Sequence, residues 1–418
     1  MSARSLMVIL SLFAISAAGA DWPQYRGPNH DGTTPEAIAT KWPEGGPKVV
    51  WKATLGDSFG SWAVAGGKAF AFIERKGDEV CVAFNDADGK ELWATPIDKT
   101  TFDKSGGPGP RSTPTVDGDR VYLLGTYLKL FCLNAADGKV VWQHDCPKEF
   151  GATQAQAPGI GNWGSAASPV LDGNLIFAHC GGKGSALMAF NKKDGSVAWK
   201  TGDDLLTHST PVPATILGVR QIVFLTQTGL VSCATEDGKI LWRQAFPFKV
   251  STASTPIVSG DIVYASAGYG VGSGAYRISK ADAGFASKEL WFSKTLFNHW
   301  TTPVCKDGYL YGIYGFKQYA ASGKGAPLKC IEVATGKEMW SQDNFGSGGG
   351  TIIANDHVLV QADNGPLVLV EANSKAYTEK ARCQPIQGGK FWTMPVVANG
   401  RIYARNQKEG ICLDAAAK

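Results

Sequence analysis

"DGKVVW", residues 137–142, has the form of a tight turn followed by a strand, and the same letters return along the chain. "DGKELW" ends at Trp93, "DGSVAW" at Trp199, "DGKILW" at Trp242 and "TGKEMW" at Trp340, while "SKELW" at Trp291 keeps only the tail. A second marker precedes each copy, an [ST]-P pair that opens an apolar run, as in "RSTPTVDGDRVYLL". Its prolines are Pro114, Pro169, Pro211, Pro256, Pro303 and Pro395. Two degenerate copies fill the gaps, with Trp62 and Thr351 in the proline position. The eight markers stand 42 to 55 residues apart, the period of a four-stranded propeller blade.

Within a copy the apolar residues alternate with period two, which specifies strands and not helices. The [ST]-P run is one strand. A D-G or N-G turn follows, because these residues accept the positive φ of tight hairpins. Two more strands, the DGK turn and the Trp strand complete the unit. One such sheet cannot bury both faces alone, so copies must stack radially, and a Trp at the same place in each outer strand packs into the neighbouring blade. Trp51, Trp93, Trp142, Trp199, Trp242, Trp291 and Trp340 are expected in that docking role.

Ring closure follows from the ends. The last copy, from Phe391 to Lys418, holds three strands and stops before any Trp. "KVVWKATLG", residues 48–56, carries Trp51 ahead of the first copy. The expectation is an all-β, eight-bladed propeller of four-stranded antiparallel blades over residues 48–418, its last blade completed by the N-terminal strand so that no edge is left open. In the seventh blade, Tyr377 in "NSKAYTEK" stands where Trp is expected.

Composition agrees with many short strands: 51 of 418 residues are Gly, well above the typical ~7 per cent. Lys and Arg exceed Asp and Glu by only 41 to 37 without a basic run, so nucleic acid is not an expected partner. Residues 1–20 read as a secretory signal peptide, with Arg4, an apolar run from Leu6 to Ile15 and an A-x-A site at Ala18–Ala20. That run is shorter than the ~20 residues of a bilayer span, and no Cys follows it for a lipid anchor. A monomeric protein exported to the periplasm or medium is expected, beginning near Asp21. Residues 21–47, rich in Pro and Gly, form an extended tether across one face of the ring, anchored by Trp22, Tyr25 and Arg26 and covering the channel.

Nine cysteines are an odd number for a disulfide framework. Cys132, Cys330 and Cys412 occupy equivalent strand ends and read as small buried hydrophobes. A pairing among Cys146, Cys180, Cys305 and Cys383 is open from sequence.

The "A-x-x-G-K-x-x-W" signature, repeated over the whole mature chain, resembles the PQQ-repeat superfamily, which includes the quinoprotein dehydrogenases and the BamB-like envelope assembly factors. "DWPQYRGPNHDG", residues 21–32, is similar to the start of several quinoprotein dehydrogenases. The resemblance to those enzymes implies a pyrroloquinoline quinone (PQQ) between a Trp and a disulfide of adjacent Cys residues, with Ca²⁺ held by carboxylate and amide side chains. This chain has no Cys-Cys pair and no C-x-x-C-H for a haem. The fold alone does not settle function.

Other motifs reduce to turns. "GDSFG", residues 56–60, matches a nucleophile elbow but joins two blades instead of a strand and a helix. "NDADGK", residues 85–90, lacks the ligands of a Ca²⁺ loop. The six His residues show no metal spacing.

Chemistry concentrates instead where the innermost strands begin. The residue three before each marker faces the channel mouth, which gives Phe59, Arg111, Ala166, His208, Ala253, Trp300, Gly348 and Trp392. Adjacent loops add Trp163, His299 and Lys390. Aromatic planes among Arg, Lys and His suit a planar anionic or sugar-like ligand. Arg111, Trp163, His208, His299, Trp300, Lys390 and Trp392 are therefore the candidate ligand-binding residues. The expected function is an exported binding platform for protein, peptide or glycan partners; the rival is a PQQ-dependent alcohol or sugar dehydrogenase using PQQ and Ca²⁺.

Overall fold

The computed structural model describes residues 20–100, 106–152, 163–282, 284–315, 325–346 and 348–417; the expected signal peptide, apart from Ala20, lies outside them. Eight antiparallel sheets succeed one another along the chain. In the second blade the strands are Thr115–Asp117, Arg120–Leu124, Lys129–Asn134 and Val140–Asp145, in spatial order. The innermost strands of adjacent blades touch, as Ala63–Ala65 does Thr115–Asp117, so a channel runs between them. The middle strands are buried on both faces and the outer ones are half-exposed, which is why the former read as apolar runs and the latter as mixed ones.

Lys48–Thr54 pairs antiparallel with Glu409–Asp414, Trp51 facing Cys412. The eighth blade is thereby completed from the front of the chain, as the unpaired Trp51 predicts. A second closure was not anticipated: Thr33–Thr34 lies parallel to the inner strand Gly349–Ala354 and makes the seventh blade five-stranded.

The repeat motif proves to be a joint between neighbours. The indole Nε1 of Trp51 donates to the Asp86 carbonyl at 2.8 Å, Trp199 to Thr235 at 2.9 Å, Trp291 to Val333 at 2.8 Å and Trp340 to Asn373 at 2.7 Å. Trp93 and Trp142 reach Ala135 and Lys192 at 3.2 and 3.3 Å. Each acceptor is in the turn of the next blade. The glycine of that turn lies flat against the ring: a Cβ on Gly138 would stand 2.6 Å from Trp93, and one on Gly238 2.5 Å from Trp199. The Gly of one DGK turn and the Trp of the preceding blade are thus two halves of one contact.

One docking Trp bonds differently from the rest, and one expectation needs correction. Trp242 packs against the fifth blade but donates within its own, to Gln221 Oε1 at 2.8 Å. The fifth blade has a long hairpin, Gly272–Ala281 and Gly284–Ser293, where other blades have a DGK turn. In the seventh blade the Trp position belongs to Ala381, which faces Leu369 as Trp142 faces Cys132. Tyr377 lies in the preceding turn and meets the edge of Trp340 from the sixth blade at 5.6 Å.

A bulge recurs at every outer strand. Val140 faces Leu133 and Trp142 faces Cys132, leaving Val141 unmatched; the same slip occurs in the other seven blades. One extra residue twists the strand locally and re-aims its side chains. Cys132, Cys330 and Cys412 are buried directly opposite Trp142, Trp340 and Trp51, where a larger side chain would crowd the indole.

Candidate functional site

The residue ahead of each proline does more than mark the strand. Ser61 N–H donates to Thr113 Oγ1 at 2.9 Å, Thr113 N–H to Ser168 Oγ at 2.9 Å and Ser168 N–H to Thr210 Oγ1 at 3.0 Å, and Thr255 N–H reaches Thr302 Oγ1 at 3.0 Å. These hydroxyls link consecutive blades around the axis. They satisfy backbone donors at a place where no ladder partner exists, which accounts for Ser or Thr in the motif.

Above this ring is a cavity of ≈ 290 Å³, lined by all seven residues singled out at the mouth. An aromatic belt runs round its wall. Phe59 stacks on Trp392 with centroids 5.1 Å apart, Trp392 meets Trp300 at 4.7 Å, and Trp300 meets His299 at 4.8 Å. Tyr269 continues it, edge-on to His299 at 4.9 Å and stacked at 6.4 Å on Trp163, which meets His208 at 6.0 Å. Tyr269 comes from a hairpin turn with φ +57°, outside the repeat frame, and sequence reasoning did not find it. Gly348 is absent from the wall. A Cβ there would stand 2.8 Å from Trp300 and 2.9 Å from Trp392, so its role is to let the two indoles meet.

Two cations lie on this belt. The Arg111 guanidinium is 5.1 Å from the centre of the Phe59 ring and donates to the Gly109 carbonyl at 2.9 Å; Lys390 Nζ is 4.6 Å from the Trp392 centroid and donates to the Gly106 carbonyl at 2.8 Å. Ring faces attract such cations. His208 Nδ1 bonds Ser251 Oγ at 2.9 Å, and its Nε2 is buried without a hydrogen-bond partner among the described residues. Burial, reinforced by Arg111 and opposed by the Gly164 backbone, lowers His208 to about 4, so the imidazole is neutral at pH 7.

The tether makes the floor. Trp22 bridges Val64, and Val116 N–H donates to the Pro23 carbonyl at 2.8 Å. Arg26, φ +64° and 2 per cent exposed, donates through Nη2 to the Asp31 carbonyl at 2.7 Å and to the Pro303 carbonyl at 3.0 Å. Burial lowers its pKa, and the two carbonyls compensate part of the lost hydration. Since the mouth residues precede the inner strands and the tether pairs along those strands, the segment closes the channel at the opposite end from the mouth. Tyr25 and Arg26 face the same cavity from below.

The site can be tested for the cofactor that the resemblance implies. Among the described lining residues there is no Asp, Glu, Asn or Gln, and no group of three or more His, Cys, Asp or Glu suited to a metal occurs among the described residues. Ca²⁺ takes six to eight oxygen ligands, chiefly carboxylates and amides; hydroxyls already engaged between blades do not replace them. The aromatic planes fit a flat ring, and the donor set does not fit a Ca²⁺–quinone centre. "GDSFG" is a loop whose Ser58 hydroxyl is bound to the Phe72 and Pro110 carbonyls. In "NDADGK" the Asp86 side chain joins Arg401 and Tyr403 of the adjoining blade.

A sequence profile described as "Outer membrane protein assembly factor BamB" matches residues 76–319 and 324–417. The assembly factor of that name from Yersinia pestis is 26% identical over 376 residues, covering 76% of this chain and 87% of its own. Among solved structures, BamB from Moraxella catarrhalis superposes with a TM-score of 0.58 at 14% identity, over 88% of this chain and 97% of that one. A quinohemoprotein alcohol dehydrogenase from Pseudomonas putida HK5 superposes with a TM-score of 0.66 at 11% identity, over 96% and 81%; at that identity the likeness is one of fold. With the profile spanning most of the repeats, the chain belongs to the family described as outer membrane protein assembly factor BamB.

Proposed function

We propose that the protein is an exported binding platform of the cell envelope, engaging protein, peptide or glycan partners, and that the axial cavity seats an anionic, ring-bearing group of such a partner. The observation that carries this is the wall itself, an aromatic belt with Arg111 and Lys390 placed on it and no carboxylate among the described lining residues. Stacking supplies affinity for a flat ring or the apolar face of a sugar, and the guanidinium supplies a fork for a carboxylate or sulfate. Family membership supports a scaffold over an enzyme, and export is supported by the leader-like N-terminus. No helix among the described residues is long and apolar enough to cross a membrane.

The test is capture from envelope extract by the immobilised full-length protein, alongside a panel of acidic peptides and glycans. Combined Arg111→Ala and Trp300→Ala should lose the captured partner, with an unchanged far-UV spectrum. Capture that is indifferent to the double variant would remove the cavity from the reading. Dye reduction by alcohols or sugars on adding PQQ and Ca²⁺ would replace the platform with the dehydrogenase.

A further inference from the structure

Sequence leaves four cysteines with open pairing, and the fold separates them. Cys305 is on the inner strand of the sixth blade, packed against one core cluster, and Cys383 is on the outer strand of the seventh, in another. Cys146 and Cys180 share a third cluster, both with no exposed surface. Cys146 opens the short helix Cys146–Phe150 that leaves the second blade, and Cys180 follows the strand Leu175–His179 of the third. Backbone contacts clamp these segments together: Gly182 N–H donates to the Phe150 carbonyl at 2.9 Å, and the Ser185 hydroxyl donates to the same carbonyl at 3.0 Å. Gly182 is pressed so close to Gly151 that a Cβ would stand 2.2 Å from its carbonyl oxygen.

We infer that Cys146 and Cys180 are a disulfide-forming pair that ties the second blade to the third. Within their shared cluster the Cys180 thiol donates to Met188 Sδ at 4.0 Å and lies beside the Cys146 thiol, and this neighbour together with burial raises the Cys146 thiol above its ordinary value. The oxidation balances as a two-electron exchange. One thiolate attacks the disulfide of an oxidant, either oxidised glutathione or a dithiol–disulfide oxidoreductase, and displaces one thiol. The second cysteine then attacks the mixed disulfide, releasing the other thiol and closing the Cys146–Cys180 bond, with two protons lost to solvent or carried by the leaving thiols. A thiol that is buried and held protonated reacts slowly, so the bond forms during folding, before the second blade docks on the third, and afterwards resists reductants. It closes a loop of about 35 residues, which restricts the unfolded chain.

The experiment is refolding of the full-length protein with a mixture of oxidised and reduced glutathione, alkylation in denaturant, and peptide mapping by mass spectrometry without reduction. The expected result is a linked pair of peptides carrying Cys146 and Cys180, with the other cysteines alkylated. Reduction in denaturant followed by refolding under reductant should lower Tm by roughly 5 °C, and the variant Cys146→Ser with Cys180→Ser should show no difference between oxidised and reduced preparations. Alkylation of all nine cysteines in the refolded protein, or linked peptides joining any other pair, would overturn the assignment. The mapping is done on the unsubstituted chain, so a variant that fails to fold does not affect it.

Discussion

Glu79 is wholly buried beside Thr126, whose N–H donates to Oε2 at 3.0 Å and whose hydroxyl donates to Oε1. Burial, with Asp98 adding to it, raises this carboxyl from 4.5 to about 7, although Thr126 and Arg111 act in the opposite sense. The folded state therefore holds the proton more tightly than the unfolded chain. Stability from this group is full below pH 4.5 and is lost as pH rises through 7, by about 3 kcal/mol at most. Glu79→Gln should leave stability to denaturant little changed at pH 4.5 and raise it at pH 8 by about 1–3 kcal/mol; an equal effect at both values would show that the carboxyl is ionised throughout. His208 has the reverse sign. Lowered by burial to about 4, it stays neutral in the fold while the unfolded imidazole gains a proton below about 6.5. Its contribution is present above pH 6.5 and disappears as pH falls to 4. His30 and His179, lowered to about 4 chiefly by burial, act with it. His208→Gln, which can still bond Ser251, should make the fall in Tm between pH 6.5 and 4 shallower, and an unchanged acid limb would place the titrating group elsewhere.

The joint between blades can be measured as a coupling. Gly138 has φ +73° and lies against Trp93, and a Cβ would also stand 2.4 Å from Thr95 Oγ1. Gly138→Ala should cost more than about 2 kcal/mol, part from the left-handed backbone and part from the clash. Trp93→Ala should cost about 3 kcal/mol. With Trp93 already removed, much of the clash is gone, so Gly138→Ala should then cost nearer 1 kcal/mol. Additive costs in the double variant, measured by denaturant unfolding, would mean that Gly138 and Trp93 act independently and the joint does not exist. The two letters were legible in the sequence because each repeats at fixed spacing, but their contact crosses about 45 residues and does not show in either copy alone. The bulge was hidden for a related reason, since every copy carries the extra residue and the spacing never changes. Position Ala381 was missed because the seventh blade keeps the register and drops the indole. The mouth residues Arg111, His208, Trp300 and Trp392 could be counted out from the proline marker because the repeat fixes where each inner strand begins. Tyr269 could not, because its place depends on a turn outside that frame.

Closure of the ring rests on the first part of the chain in two ways, and the two can be separated. Lys48–Thr54 covers the edge of Glu409–Asp414 and brings Trp51 onto Gly89 of the first blade. The stretch before it crosses the axis, with Thr33–Thr34 on the seventh blade, Glu36 accepting from the backbone N–H groups of Asn399 and Gly400, and Ala39 N–H donating to the Ala415 carbonyl at 2.8 Å. The first contact removes an exposed strand edge; the second fills the floor of a ring already closed. A chain lacking residues 20–40 should therefore stay folded and elute in the same oligomeric state as the full chain, with a lower Tm and its cavity open at both ends. A chain that begins after Thr54 should instead expose a bare edge and associate through it, eluting as oligomers in light-scattering chromatography. A peptide of residues 46–56 added to that shorter chain during refolding should restore the oligomeric state of the full chain, because it supplies the missing ladder and the indole together, while the same peptide with Trp51→Ala should do so weakly. If the shorter chain associated no more than the full chain without the peptide, or if removal of residues 20–40 alone caused association, closure would reside in the axial segment and the outer strand would be only a cover.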